Sequence, residues 1–459
     1  MASRQARLTQ GPVGRHLVDM TVPVLFGVFT MMMQAFVDAW FIGQVGDREL
    51  AALGFAFPVL MLVSSVAIGL GAGTSSVVAR ALGAEDYDRA RRLTTDSLLL
   101  AFGMTALVAV AGILTIGPLF RLLGAPEDLI PLIGGYMRIL YAGVPFVVVG
   151  MVGMSSMRAT GDTRLPSILM VLASVLNVVL DPLLIFGFGP IPRMELDGAA
   201  MAAFLARGSL FFGALYFMRR RLDMLSFDRP DPVELRKSWV DILHVGIPAA
   251  GTNAIVPIAT GAITAMLARY GPEAVAGFGV ASRVESLMLV IYYAMSAIIG
   301  PFVGQNVSSG KADRIYLALR LCTLFCLASG LVIALALAAS STFLPSLFSD
   351  NPAVTRVATT FLLIAPLGYG AYGMVMVMNA AFNGMGKPIP GVWISMMRLA
   401  ALYLPLAFIA DRFFGVTGIF AAYTVANIVT GITAYLWARS AVQSQVDKHG
   451  PRIMATEIV

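Results

Sequence analysis

Charged residues are scarce in this sequence. Asp, Glu, Lys and Arg make up 13% of the 459 residues, whereas 58% are hydrophobic. A soluble protein has about 25% charged residues, because its surface must face water. The shortage therefore excludes a soluble enzyme and indicates a helical membrane protein with many spans. The net charge of +6 does not indicate nucleic-acid binding, because the basic residues lie mostly at the ends of apolar runs.

Residues suited to metal binding or covalent catalysis are also scarce. The two cysteines, Cys322 and Cys326, lie one helical turn apart in an apolar run and are interpreted as packing residues. The three histidines have no metal-ligand spacing. Hydrolase, metalloprotease and P-loop motifs are missing. We therefore expect no enzyme activity, no cofactor and no metal centre. A transporter of this kind would be driven by an ion gradient.

Long apolar runs dominate the chain instead. A membrane-spanning helix needs about 20 residues, and twelve runs meet this length. The predicted spans are 16–42, 53–80, 93–119, 131–156, 165–188, 198–219, 241–268, 278–304, 315–341, 354–381, 390–411 and 416–439. In the second span, Gly69 and Gly73 form a GxxxG pair, which lets two helices approach closely.

Arginine and lysine lie mainly in alternate loops. Arg91 and Arg92 follow the second span and Arg219 and Arg220 follow the sixth, whereas the opposite loops hold mainly single arginines. The positive-inside rule then places both termini in the cytoplasm. We expect a multi-pass protein of the inner (plasma) membrane, a monomer surrounded by the lipid bilayer, with no nucleic-acid partner.

The two halves of the chain repeat each other at an offset of 225 residues. The matching pairs include Pro23 and Pro248, Gly54 and Gly279, and Gly161 and Gly386. One offset that holds over this much chain indicates a duplication. Each copy has an even number of spans, so both copies insert in the membrane the same way up.

The duplication predicts the fold class. We expect an all-α polytopic membrane protein with two six-helix lobes related by a pseudo-two-fold axis along the membrane normal. The predicted lobes are 1–220 (spans one to six) and 241–440 (spans seven to twelve). A cytoplasmic linker at 221–240 joins them, and a cytoplasmic tail follows at 441–459.

Polar residues that could form one site lie inside the first and fifth spans. Asp38 is near the outer end of the first span, with Gln34 one turn before it, and Asn177 and Asp181 share one face of the fifth. A carboxylate in hydrocarbon costs about 2.5–3.5 kcal/mol or more. Asp38, Asn177 and Asp181 could therefore meet as a proton or sodium site. The alternative is a structural role, in which they hold helices together by hydrogen bonds.

The spans also contain other charged residues. Arg207 in the sixth span could form a salt bridge with Asp181 or Asp38, or could reach towards the membrane surface instead. Structural pairing is the favoured interpretation for three charged residues further along the chain, Arg283, Glu285 and Arg398.

Several motifs resemble those of multidrug and toxic compound extrusion (MATE) antiporters. They are QAFVDAWFIGQVG, RATGDTRLP, LNVVLDPLLIFGFG, GAAMAAFLA and VGQNVSSGKADR. The resemblance covers nearly the whole chain, and it is closer to the DinF-like and archaeal branch than to the NorM branch. It implies export of cationic or amphipathic drugs in exchange for protons or sodium.

The resemblance also implies roles for individual residues. The family's cation site falls on Asp38, Asn177 and Asp181, and its helix-bending proline falls on Pro23. A threonine of the family pattern is replaced by Ala203. In addition, Arg207 stands where family members often have glutamine. Sodium needs several oxygen ligands, so we expect coupling to protons in preference to sodium.

A second function is compatible with the same spans. A flippase or exporter of lipid-linked or anionic amphipaths would need a cationic cavity, and Arg207, Arg283 and Arg398 could line one. The sequence identifies neither the physiological substrate nor the stoichiometry.

Overall fold

The computed structural model describes residues 7–229 and 231–449, apart from the side chains of Asp47 and of 445–449. Within these residues the chain is almost entirely helical, and the only strand-like pairing is an isolated bridge between Phe188 and Ile191. The α-helices are α1 Val13–Val45, α2 Asp47–Gly83, α3 Tyr87–Leu122, α4 Ile130–Ala159, α5 Arg164–Ile185, α6 Glu195–Phe217, α7 Pro232–Leu267, α8 Pro272–Met288, α9 Val290–Ser308, α10 Ala312–Ser340, α11 Phe343–Ser346, α12 Pro352–Ile364, α13 Tyr369–Gly384, α14 Ile389–Met396 and α15 Leu404–His449.

All twelve predicted spans are present. Eleven continuous segments of the described chain are long and apolar enough to cross a membrane. The last of them, Ile389–Ser444, contains Gly415 with φ 57° and ψ −139°, which no helix accommodates. This residue separates the eleventh span from the twelfth, so the prediction of twelve spans in an all-helical membrane protein is confirmed.

Three spans that the sequence predicted as continuous helices are interrupted. The eighth span is broken at Leu289, the tenth contains the 3-10 segment Ala365–Gly368, and the eleventh contains the π-helical segment Met397–Tyr403. Proline explains two of these. Pro366 lies in the 3-10 segment, and Pro405 follows the π segment without the N–H that the carbonyl of residue 401 would accept. No local residue explains the break at Leu289.

The chain divides into two compact units. The first unit is Met20–Ala250, and the second unit is Arg7–Asp19 together with residues 251–449. The division thus lies within α7, C-terminal to the predicted linker at 221–240. Because Arg7–Asp19 joins the second unit, α1 begins in the second unit and continues in the first.

The N-terminal segment is held in the second unit by hydrogen bonds at the end of α9. The Leu8 N–H donates to Gln305 Oε1 over 3.1 Å, and Asn306 Nδ2 donates to the Leu8 carbonyl over 3.1 Å. Lys311 Nζ donates to the Thr9 carbonyl over 2.8 Å. These groups belong to the motif VGQNVSSGKADR, so the motif has a structural role in anchoring the start of α1.

In the first unit, α2 packs closely against α7 through glycine. A Cβ atom on Gly73 would lie 2.3 Å from the Ile242 carbonyl oxygen, and one on Gly69 would lie 2.5 Å from the Gly246 carbonyl oxygen. The close approach expected from the GxxxG pair is therefore present, and any larger residue would push the helices apart.

Candidate functional site

Helix α5 provides two of the predicted polar residues. The helix starts where Asp162 Oδ1 accepts the N–H groups of Arg164 and Leu165 at 3.1 and 3.2 Å. Three turns further on, Asn177 Nδ2 donates to Asp181 Oδ1 over 3.1 Å. Both side chains are fully buried, with 0% and 1% exposure. Their spacing of four residues places them on one face, as predicted.

Helix α1 provides the other two. Gln34 Nε2 donates to Asn177 Oδ1 on α5 and, over 3.4 Å, to Asp38 Oδ2 one turn along its own helix. One amide group therefore joins the polar residues of α1 to those of α5. We define the coupling cluster as these four residues, Gln34, Asp38, Asn177 and Asp181.

The two carboxyl groups of the coupling cluster are close to each other. Asp38 and Asp181 lie within hydrogen-bonding range. One oxygen of each carboxyl group, Asp38 Oδ1 and Asp181 Oδ2, is buried and receives no hydrogen bond from the described residues. A hydrogen bond between two carboxyl groups needs a proton on one of them. The arrangement is therefore suited to holding a proton.

Two residues outside the coupling cluster influence its charge. Arg207 on α6 lies within electrostatic range of Asp38. Among the described residues it has no ion pair of 4.0 Å or less with Asp38 or Asp181, so of the two alternatives that the sequence left open the salt bridge is not formed. Tyr136 on α4 is 7% exposed and lies within electrostatic range of both aspartates and of Arg207. Sequence reasoning missed Tyr136, because one tyrosine in an apolar span has no distinctive pattern.

The remaining predicted positions, Ala203 and Pro23, lie on α6 and α1. Ala203 is partly buried on α6, one turn before Arg207, and provides no hydroxyl group. Pro23 lies inside α1, which remains helical through it from Val13 to Val45. The described residues contain no cluster of three or more His, Cys, Asp or Glu side chains that could hold a metal ion.

The chain is similar to known transporters along almost its full length. The sequence profile of the MatE family matches residues 23–183 and 248–409, two segments whose first residues are again 225 apart. The FAD transporter of Shewanella oneidensis is 39% identical over 435 residues, which cover 94% of this chain and 96% of that protein. The probable multidrug resistance protein YoeA of Bacillus subtilis is 25% identical, over 92% of this chain and 93% of its own length.

Solved structures show the same fold. The MATE transporter VcmN of Vibrio cholerae in its bent form has a TM-score of 0.90 and 33% identity, with 95% of this chain and 98% of that chain covered. Such transporters have twelve spans in two lobes, which agrees with the predicted fold class. With the MatE profile matching most of the sequence and the fold matching throughout, the chain belongs to the MATE family of membrane transporters.

Proposed function

We propose that the protein is a secondary active antiporter that exports amphipathic organic compounds in exchange for protons. The coupling cluster is the observation that supports this proposal. It is a chain of hydrogen bonds that runs from Asp38 through Gln34 and Asn177 to Asp181, partly buried on α1 and fully buried on α5. Buried carboxyl groups inside a membrane are costly, and they typically mark an ion or proton pathway.

Protonation would change the contacts between α1 and α5. Two ionised carboxylates at short range in a water-poor site repel each other strongly. A proton taken up from outside removes one charge and lets Asp38 and Asp181 share a hydrogen bond. Release of that proton restores the repulsion, which weakens the attachment of α1 to α5. Alternating access would then follow from the movement of α1, with Pro23 as its hinge.

Protons fit the coupling cluster better than sodium. Sodium would need several oxygen ligands, but Asn177 Oδ1 already accepts the Gln34 amide. Ala203 adds no oxygen, and the positive charge of Arg207 is within range of Asp38. A cation that approached the cluster would meet this charge, whereas a proton can bind directly to a carboxyl oxygen.

Vesicles containing the purified protein would test the coupling ion. Efflux should follow an imposed pH gradient and should stop when that gradient is collapsed. A sodium gradient alone, at equal pH on both sides, should drive no efflux. Sodium-driven efflux under these conditions would overturn proton coupling.

Two classes of substrate need to be compared. The relatives named as multidrug proteins support amphipathic or cationic drugs. A second candidate is flavin adenine dinucleotide, which the 39% identity to a protein named FAD transporter favours. Efflux of both classes should be measured in the same vesicles. An exporter of flavin dinucleotide would also resemble the predicted alternative, an exporter of anionic amphipaths.

We further propose that the protein lies in the inner (plasma) membrane as a monomer with both termini in the cytoplasm. The basic loops after the second and sixth spans support this orientation. A reporter that is active only in the cytoplasm, fused to the C-terminus, would test this orientation. An inactive reporter would show that the C-terminus lies on the opposite side of the membrane.

A further inference from the structure

The second unit contains a polar cluster that the coupling cluster does not involve. It lies on α8, on α13, on the π-helical segment Met397–Tyr403 and on α15. We call it the arginine–tyrosine cluster, and its members are Glu285, Tyr369, Tyr372, Arg398, Tyr423 and Asn427. No residue of this group has a role in the proposed proton coupling.

Arg398 is the centre of this cluster. Its guanidinium carbon lies 4.4 Å from the centroid of the Tyr372 ring, in a cation–π contact. Its Nη1 donates to Asn427 Oδ1 over 3.3 Å. Because arginine can only donate hydrogen bonds, this contact fixes the orientation of the Asn427 amide and turns Nδ2 away from the guanidinium.

Two hydrogen-bond donors in the cluster have no acceptor. Arg398 Nε and Asn427 Nδ2 are buried and bond to none of the described residues, whereas the Tyr369 hydroxyl lies within hydrogen-bonding range of Glu285. Asn427 is 0% exposed. A buried donor without a partner costs about 1–3 kcal/mol. A group of donors of this kind therefore suits a ligand that brings acceptor atoms.

The nearby carboxylate does not neutralise Arg398 by direct contact. Glu285 Oε1 accepts the Tyr423 hydroxyl over 2.8 Å. Glu285 lies within electrostatic range of Arg398, but in the described chain no ion pair of 4.0 Å or less joins them. The structural pairing predicted for these two charges is therefore not with each other. Arg398 keeps donor capacity for another partner.

The backbone at Arg398 is also unusual. Arg398 lies in the π-helical segment, a rare geometry that is frequent at functional sites. The segment ends just before Pro405, which cannot donate the hydrogen bond of a regular helix. This local widening is a second observation, independent of the unpaired donors, that distinguishes the position from an ordinary packing site.

We propose that the arginine–tyrosine cluster binds an oxyanion, such as a phosphate, carried on an aromatic molecule that the protein transports. Arg398 and Asn427 donate to its oxygen atoms, and the tyrosine rings contact the aromatic part. Glu285 opposes the anion, so it limits affinity and permits release. This inference rests on the proposed function as an exporter, but it concerns binding and does not depend on the coupling ion.

Binding to the purified protein in detergent, without any gradient, tests the proposal. Flavin mononucleotide and riboflavin are suitable probes, because they share a ring system and differ in one phosphate group. The unmodified protein should bind flavin mononucleotide at least about tenfold more tightly than riboflavin, since charge-assisted hydrogen bonds to the phosphate are strong. Arg398→Gln should abolish this preference and leave riboflavin binding unchanged.

Two further variants make the test specific. Glu285→Gln should tighten binding of flavin mononucleotide, because it removes a repelling charge. Arg412→Gln should change nothing. It is a matched control, because Arg412 is exposed in the same unit and its guanidinium lies 5.1 Å from the Phe408 ring. Tighter binding of flavin mononucleotide by Glu285→Gln and loss of the preference in Arg398→Gln cannot both result from misfolding.

Other outcomes would overturn the proposal. They are equal binding of the two probes, no binding of flavin mononucleotide, or a preference that survives in Arg398→Gln. Each would mean that the unpaired donors do not bind an oxyanion. A failure of proton coupling would instead appear only in gradient-driven efflux, with the binding preference intact.

Discussion

Gln34 on α1 donates a hydrogen bond to Asn177 on α5, and the same amide nitrogen also donates to Asp38. The attachment of the first helix to the fifth therefore depends on a group that also contacts a carboxylate. A change in charge at Asp38 changes a contact between two helices directly, without a chain of intermediate residues. The first predictions concern this relationship.

Asp38→Asn and Asp181→Asn should each reduce efflux driven by a pH gradient to the rate of vesicles without protein. Asparagine keeps the size of the side chain but cannot take up or release the proton. Substrate-induced proton movement, followed with a pH-sensitive dye, should disappear as well. Asp19→Asn is the control, because Asp19 is an exposed residue of the same helix, paired with Arg15 at 3.5 Å. Full efflux by both variants at matched protein amounts would show that neither carboxyl group is needed for coupling.

Gln34→Met should loosen α1 while both acids remain. It removes the only donor to Asn177 Oδ1 that the structure describes, and an unpaired buried group costs about 1–3 kcal/mol. Efflux should slow and the thermal unfolding midpoint should fall. Gln44→Met, at an exposed position of the same helix, should have neither effect. If the two variants behave alike, the amide at position 34 is not a link between helices.

Pro23→Ala should slow turnover more than it weakens substrate binding. Pro23 has no N–H group, so the carbonyl of Asp19 lacks its hydrogen-bond donor in α1. Alanine would complete that hydrogen bond and stiffen the helix. The rate of efflux and the affinity should be measured separately on the same preparation. Pro58→Ala in α2 is the control, and equal rates for Pro23→Ala and the unmodified protein would exclude a moving hinge.

Gly73→Leu should destabilise the protein, because even a Cβ atom there would lie 2.3 Å from the Ile242 carbonyl oxygen. Forced overpacking typically costs about 1–3 kcal/mol. A fall in the thermal unfolding midpoint in detergent would measure this cost. Gly103→Ala provides the contrast. No atom lies within 4 Å of its added Cβ, so it should be neutral or stabilise by up to about 1 kcal/mol. A Gly73→Leu protein as stable as the Gly103→Ala protein would contradict the close packing of α2 on α7.

Much of the candidate site was predictable because buried charge is costly. Asp38 and Asp181 are distinctive in apolar spans, and the four-residue spacing from Asn177 to Asp181 specifies one helical face. Tyr136 was not predictable, and neither was the bond from Gln34 to Asn177. Both depend on how neighbouring helices are rotated about their axes, and a single sequence contains no local signal for that rotation.

The class of protein, the number of spans and the duplication follow from the amino-acid sequence alone. These features depend on bilayer thickness and on a repeat of 225 residues, and both can be measured along the chain. Which polar groups meet depends on how the helices pack in three dimensions. This packing places Arg207 near Asp38 without an ion pair, and it stacks Arg398 on Tyr372. Hydropathy specifies that a helix crosses the membrane, whereas packing against its neighbours decides which of its faces they contact.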